Sequence, residues 1–230
     1  MTELLAADSW LVVDGRVRAV ERHWARFSAT CAEHGVGPAA VAALREALEV
    51  PAAGRWFPRV ELHPDGRLAV QLRPAPAREP TVAAWIADVP DPRHAPRRKG
   101  PDLERLAALR TRAAAHGAGE AVLADADGRL LEGAFTSLLW WEGETLCALP
   151  DEAPILPGVT RALLLELARD RGTPVARRRP EPRALAGRET WLVSALHGIR
   201  VITSWADGGL EAGDAPRARA WRRRLDALAV

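Results

Sequence analysis

Ala121-Val-Leu-Ala-Asp-Ala-Asp-Gly-Arg-Leu130-Leu-Glu-Gly-Ala-Phe-Thr-Ser-Leu-Leu-Trp140-Trp-Glu-Gly-Glu-Thr-Leu-Cys-Ala148 decides how the rest of the chain reads. Four apolar stretches (Ala121 to Ala124, Arg129 to Glu132, Thr136 to Trp141, Thr145 to Ala148) alternate with the turn residues Asp125-Ala-Asp-Gly128 and Glu142-Gly-Glu144. Short runs rich in Leu, Val and Trp between tight polar turns predict strands joined as hairpins, hence an antiparallel sheet. Glu132 interrupts an otherwise apolar run and is followed by Gly. A carboxylate there must be paired if it is buried; otherwise it is a strand-end acid facing water.

Beyond this sheet, Ile155-Leu-Pro-Gly-Val-Thr-Arg161 leads into an apolar helix to Arg171. Gly158, Val159 and Thr160 at its start offer free backbone N–H groups, a Gly that permits close approach and a hydroxyl, all suited to a phosphate. A Pro-Gly pair before a helix is also an ordinary turn. Strands follow near Thr173 to Arg177, Thr190 to Ser194 and Ile199 to Ser204, then an Arg-rich helix from Pro216. Upstream, Pro101-Asp-Leu-Glu starts a helix that turns Leu103, Leu106 and Leu109 inward and ends near His116-Gly117. Lys99, just before it, is the only lysine in the chain. An amine there can attack a carbonyl and form a Schiff base, which a delocalised guanidinium cannot, and a nearby helix start would help lower its pKa. A solvated cation in a basic loop is the plainer alternative.

The first third reads as hairpin, two helices, hairpin. Ser9 to Val13 and Arg16 to Val20 flank the Asp14-Gly15 turn. Trp24, Phe27 and Cys31 recur at helical spacing up to Gly35, and Pro38 opens a second helix through Leu44 and Leu48. Trp56 to Leu62 and Leu68 to Leu72 enclose Pro64-Asp65-Gly66. His23 and Arg26 stand one turn apart on the first helix, by themselves a solvated pair. Pro74 to Pro80 has the composition of a stiff linker, so residues 1–76 are expected as an N-terminal α+β domain, 77–80 as the linker and 81–230 as a larger C-terminal domain.

At 230 residues and 48% hydrophobic composition, the chain can bury one sizeable core or two small ones. A net charge of +2, with Arg and Asp/Glu interspersed, argues against nucleic acid as partner. No apolar run spans a bilayer and no signal-peptide pattern opens the chain, so the cytoplasm is the expected compartment. Cys31 and Cys147 form neither a disulfide framework nor a metal site and read as packing residues; no metal is expected.

Taken in order, these segments resemble the class IV aminotransferase family, the fold-type-IV pyridoxal phosphate enzymes. The motifs that carry the resemblance are Leu131-Glu-Gly-Ala-Phe-Thr-Ser-Leu-Leu-Trp-Trp141, Ile155-Leu-Pro-Gly-Val-Thr-Arg161 and Val193-Ser-Ala-Leu-His-Gly-Ile199. It implies a two-domain α+β fold, with a small N-terminal α/β sandwich-like domain and a larger, mostly antiparallel C-terminal one. It also implies a homodimer with each site between two domains, and pyridoxal 5'-phosphate as cofactor. By the resemblance Lys99 is the Schiff-base lysine and Glu132 the partner of the pyridine nitrogen. Arg26, Gly158, Val159, Thr160, Ser194 and Ala195 would hold the phosphate.

Family members carry an Asp-Gly-containing segment ahead of the first hairpin that lines the substrate pocket. Here the chain begins close to the hairpin, so part of one pocket wall is expected to be missing, and with no Tyr any aromatic hydroxyl that relatives place beside the cofactor is expected to be absent. Ser194-Ala-Leu-His-Gly-Ile199 looks more like the Asn-Ala-Leu stretch of aminodeoxychorismate lyases than the aminotransferase pattern. The expected activity is release of pyruvate and 4-aminobenzoate from 4-amino-4-deoxychorismate. The alternatives are transamination between an amino acid and a 2-oxo acid, and a catalytically reduced binding module of the same fold. In each enzymatic reading the partner is a small amino substrate.

Overall fold

The computed structural model of the protein describes residues 4–207 and 209–230. Its chain divides into two compact units: residues up to Arg78 with His94–Glu104 and Leu228–Val230, and Glu79–Arg93 with Arg105–Ala227.

In the first unit, strand β1 (Ala6–Ser9) precedes the hairpin β2 (Val12–Val13) and β3 (Arg16–Val17). Asp14 and Gly15 both have positive φ, the geometry that lets a two-residue turn follow the strand twist. Helix α1 (Val20–Glu33) turns Trp24, Phe27 and Cys31 inward and stops at Gly35, whose positive φ suits a helix terminator. Helix α2 (Pro38–Glu46) has Pro in its first turn, where no N–H is needed. Strands β4 (Arg55–Trp56) and β5 (Arg59–Leu62) replace the single strand expected over Trp56 to Leu62. Pro58 lies at the break and cannot donate to a ladder. Strand β6 (Leu68–Gln71) completes the three-stranded sheet β1-β5-β6. Ala6, Val60 and Leu62 of this sheet meet Trp24, Phe27 and Cys31 in one apolar cluster.

The second unit comprises β7 (Thr81–Ile86), α3 (Leu103–Ala115), β8 (Glu120–Ala124), β9 (Leu130–Gly133), β10 (Ser137–Glu142), β11 (Thr145–Ala148), α4 (Val159–Asp170), β12 (Val175–Arg177), β13 (Thr190–Ser194), β14 (Gly198–Trp205) and α5 (Ala218–Asp226); only the first two residues of α3 fall in the other unit. Its eight-stranded sheet runs β12-β11-β10-β13-β14-β7-β8-β9. The hairpins expected over 121–148 are antiparallel, but β7 lies parallel to both β14 and β8, and β12 parallel to β11. β8 and β9 are buried along their whole lengths, so their side chains are apolar on both faces, apart from Glu120 and Glu132. Trp141 meets Trp191 and Trp221 edge to face, and those two pack tilted on each other, where α5 covers the sheet. Cys31 and Cys147 are fully buried packing residues.

Candidate active site

In the first unit, Lys99 belongs to an irregular segment that is fixed by its backbone. Asp102 accepts from the amides of His94 (3.0 Å) and Ala95 (2.9 Å), closing the segment on itself. The Lys99 carbonyl accepts from Ala7 N at 2.6 Å, which lays the segment along the edge of β1. Gly100 has φ +142°, and a Cβ there would come within 2.7 to 2.9 Å of the Ala6 and Ala7 backbone. The first helical residue is Leu103, two positions after the start expected at Pro101.

One residue along β1, Asp8 is wholly buried. It accepts from Arg26 Nε (2.8 Å) and Nη2 (2.9 Å), and bonds His23 Nδ1 at 2.8 Å. Burial alone would raise its pKa. The Arg26 charge, the His23 bond and charge, and the charge of Lys99 outweigh burial and hold the carboxyl below its ordinary value. His23 and Arg26 are therefore not a solvated pair: they occupy the face of α1 that meets a buried carboxylate. Two expected site residues, Lys99 and Arg26, thus converge on neighbouring residues of one strand.

In the second unit, Glu132 on β9 is 3% exposed. Its Oε1 accepts from Arg93 Nη1 (2.6 Å) and Leu156 N (2.7 Å); Oε2 takes neither bond. Burial raises its pKa, and the Arg93 charge and the Leu156 amide oppose that shift. Arg93 also donates through Nε and Nη2 to Asp91, at 2.9 and 2.8 Å.

The start of α4 has Gly158 as its N-cap and no capping side chain. Gly158 stands over Ser137: a Cβ on it would lie 2.5 Å from Ser137 Oγ. Ser137 pairs with Val193, the residue before Ser194, so the α4 start and the turn after β13 share one end of the sheet. Ser194 Oγ accepts from His197 N, which closes that turn. Thr160 is buried in the first turn.

Each of these groups, taken within its own unit, fits one part of pyridoxal phosphate. An uncapped helix start with a glycine against it suits a phosphate dianion, a buried carboxylate with one oxygen outside its protein bonds suits a protonated ring nitrogen, and a lysine suits the carbonyl. Reading the sequence missed Asp8, Asp91, Arg93 and Ser137. Asp8 had a signal, an isolated acid just after Leu4-Leu-Ala-Ala7; Asp91 and Arg93 had one in their spacing about a proline. Among the described residues no cluster of His, Cys, Asp and Glu could hold a metal ion, and no helix is long and apolar enough to cross a membrane.

The family model of amino-transferase class IV matches residues 5–205. The chain belongs to that family. It is accordingly a pyridoxal phosphate-dependent enzyme. A search of curated protein sequences gives no match. Among solved structures it resembles a hypothetical aminotransferase from Mycobacterium tuberculosis in its PLP-bound form, with TM-score 0.83, 24% identity, and coverage of 97% of this chain and 87% of that one. That mycobacterial protein is also known in an alpha-ketoglutarate and PMP bound form, at TM-score 0.79, 23% identity and coverage of 97% and 88%. The branched-chain amino acid aminotransferase of Escherichia coli follows at TM-score 0.82, 18% identity and coverage of 97% and 84%. A Legionella pneumophila protein described as a candidate 4-amino-4-deoxychorismate lyase matches at TM-score 0.80, 17% identity and coverage of 97% and 90%. These likenesses establish the fold-type-IV architecture.

Proposed function

We propose that this class IV enzyme cleaves 4-amino-4-deoxychorismate to pyruvate and 4-aminobenzoate, with Lys99 as the residue that binds the cofactor covalently and moves the substrate proton. The observation that carries the cofactor assignment is Glu132, buried on β9 with Oε1 held by Arg93 and Leu156 N. Bound pyridoxal phosphate supplies an electron sink for the carbon that bears the substrate amine. Gly158, Val159 and Thr160 at the α4 start, the Ser194-Ala195 turn and Arg26 would hold the phosphate, and Glu132 would hold the proton at the ring nitrogen. Lys99 would be the base that takes the proton from the amine-bearing ring carbon. The bond between the adjacent ring carbon and the enol-ether oxygen would break, the six-membered ring becoming aromatic, and the departing enolpyruvate would take up one proton at its methylene carbon to become pyruvate.

The lyase reading is supported by Ser194-Ala-Leu196 and by the absence of Tyr from the chain, which suits one bulky cyclic substrate better than discrimination among small amino acids. Transamination is the second reading, favoured by the aminotransferases among the structural neighbours. Purified protein supplied with cofactor and 4-amino-4-deoxychorismate, and no 2-oxo acid, is expected to release pyruvate. Conversion of the cofactor to its pyridoxamine form by simple amino acids, with aminodeoxychorismate untouched, would replace the lyase reading by transamination.

A further inference from the structure

Arg93 has no part in the roles above, yet its side chain is 5% exposed. A guanidinium so enclosed is costly unless its donors are met. Nε and Nη2 reach the two oxygens of Asp91 at 2.9 and 2.8 Å, Nη2 also donates to Pro154 O at 3.0 Å, and Nη1 donates to Glu132 Oε1 at 2.6 Å. Asp91 Oδ1 accepts from Arg93 N as well, at 3.1 Å, closing a local turn over Pro92. The pair is thus organised within three residues of chain before it meets β9. Two carboxylates against one guanidinium leave the cluster one negative charge, and Glu132 Oε2 is the oxygen outside its bonds. That arrangement complements one further cationic N–H donor.

We propose that Asp91 and Arg93 are positioning residues for the ring-nitrogen carboxylate. Arg93 keeps Glu132 ionised and fixes Oε1, so that Oε2 meets the N–H of a protonated pyridine ring, and Asp91 fixes the fork of Arg93 that does so. The inference rests on the assignment of Glu132 made above. A solely structural Arg93, tying Pro154 to Asp91, is the competing explanation. The two differ in whether the ring nitrogen matters.

The test measures cofactor affinity of the full chain for pyridoxal phosphate and for its 1-deaza analogue, in which carbon replaces the ring nitrogen. The proteins are wild type, Arg93→Gln, Glu132→Gln and the double variant. Each single substitution is expected to raise Kd for pyridoxal phosphate about tenfold, the double variant to be no worse than Glu132→Gln alone, and the Arg93→Gln loss to vanish with the analogue. Additive losses in the double variant, or an equal loss with the analogue, overturn the proposal. Should Arg93→Gln fail to fold, Asp91→Asn replaces it: a loss seen with pyridoxal phosphate alone supports the positioning role, and one seen equally with the analogue overturns it. Borohydride trapping in wild type separates the two levels. No adduct at Lys99 sinks the cofactor assignment and this inference with it, whereas an adduct with additive losses sinks this inference alone.

Discussion

Replacing Asp8 by Asn would leave Arg26 and His23 facing each other across a buried site without their anion. Removal of one partner from a buried pair costs about 3 to 5 kcal/mol, and the partial exposure of Arg26 places this case at the lower end. Urea unfolding of Asp8→Asn should show that loss, and its affinity for pyridoxal phosphate should fall with the freed Arg26 fork; an unchanged midpoint and affinity would remove Asp8 from any role. The folded pKa of Asp8 lies below its ordinary 3.8, so its contribution is present above that value and is lost as pH falls through the lower, folded value. Glu120 behaves oppositely. Burial pushes its carboxyl up to about 7 although Arg200 donates to it at 3.1 Å. The native state therefore holds a proton that the unfolded chain releases near 4.5, and stability falls as pH rises from there to about 7. Glu120→Gln should flatten that slope, at most about 1.4 kcal/mol per pH unit, in denaturation midpoints taken at several pH values. Glu132 was legible as an acid in an apolar run. Its partners were not, because Arg93 and Leu156 lie 39 and 24 residues away in sequence and meet it only through the fold.

At the scale of the element, two glycines stand where an added Cβ would collide with a neighbour. Gly100→Ala would place a methyl group against the Ala6 backbone in a left-handed conformation. Backbone cannot yield as a side chain can, so the segment that carries Lys99 must move. Loss of the borohydride-trapped adduct, with a stability cost of about 1 to 3 kcal/mol, is the expected result. Gly158→Ala is a different case. Its φ of −72° is ordinary, and the obstacle is Ser137 Oγ. Weaker cofactor binding in Gly158→Ala should be relieved by adding Ser137→Ala, measured by titration of both variants; absence of relief would mean that the obstacle is not Ser137. Helices and hairpins could be read from periodicity and turn residues, because those signals are local. The parallel pairing of β7 with β14 and β8 could not, since strands that meet through long crossovers leave no turn motif between them. The strand ahead of the hairpin was likewise hidden: β1 has only four residues, and it pairs with β5, whose partners lie 50 to 56 residues further on.

Over the whole molecule, composition marks the Pro-rich stretch from Pro74 to Pro80, but nothing in composition marks His94–Glu104 and Leu228–Val230 as parts of the first unit. Backbone pairing places them there, through Ala7 with Lys99 and Val17 with Val230. A fragment ending at Arg78 would therefore leave the outer edges of β1 and β3 without the partners they have here. It is expected to give poorly dispersed amide NMR spectra, and a well-dispersed spectrum would show that the first unit needs neither returning segment. The same pairing has a consequence for biosynthesis. Val17 exchanges both backbone hydrogen bonds with Val230, and Arg16 donates to Ala229 across 213 positions of sequence. While the chain is still on the ribosome, β3 has been made long before the residues that pair with it, and its outer edge stays open until the second unit has emerged. That open edge is a place where nascent chains can pair with one another during synthesis.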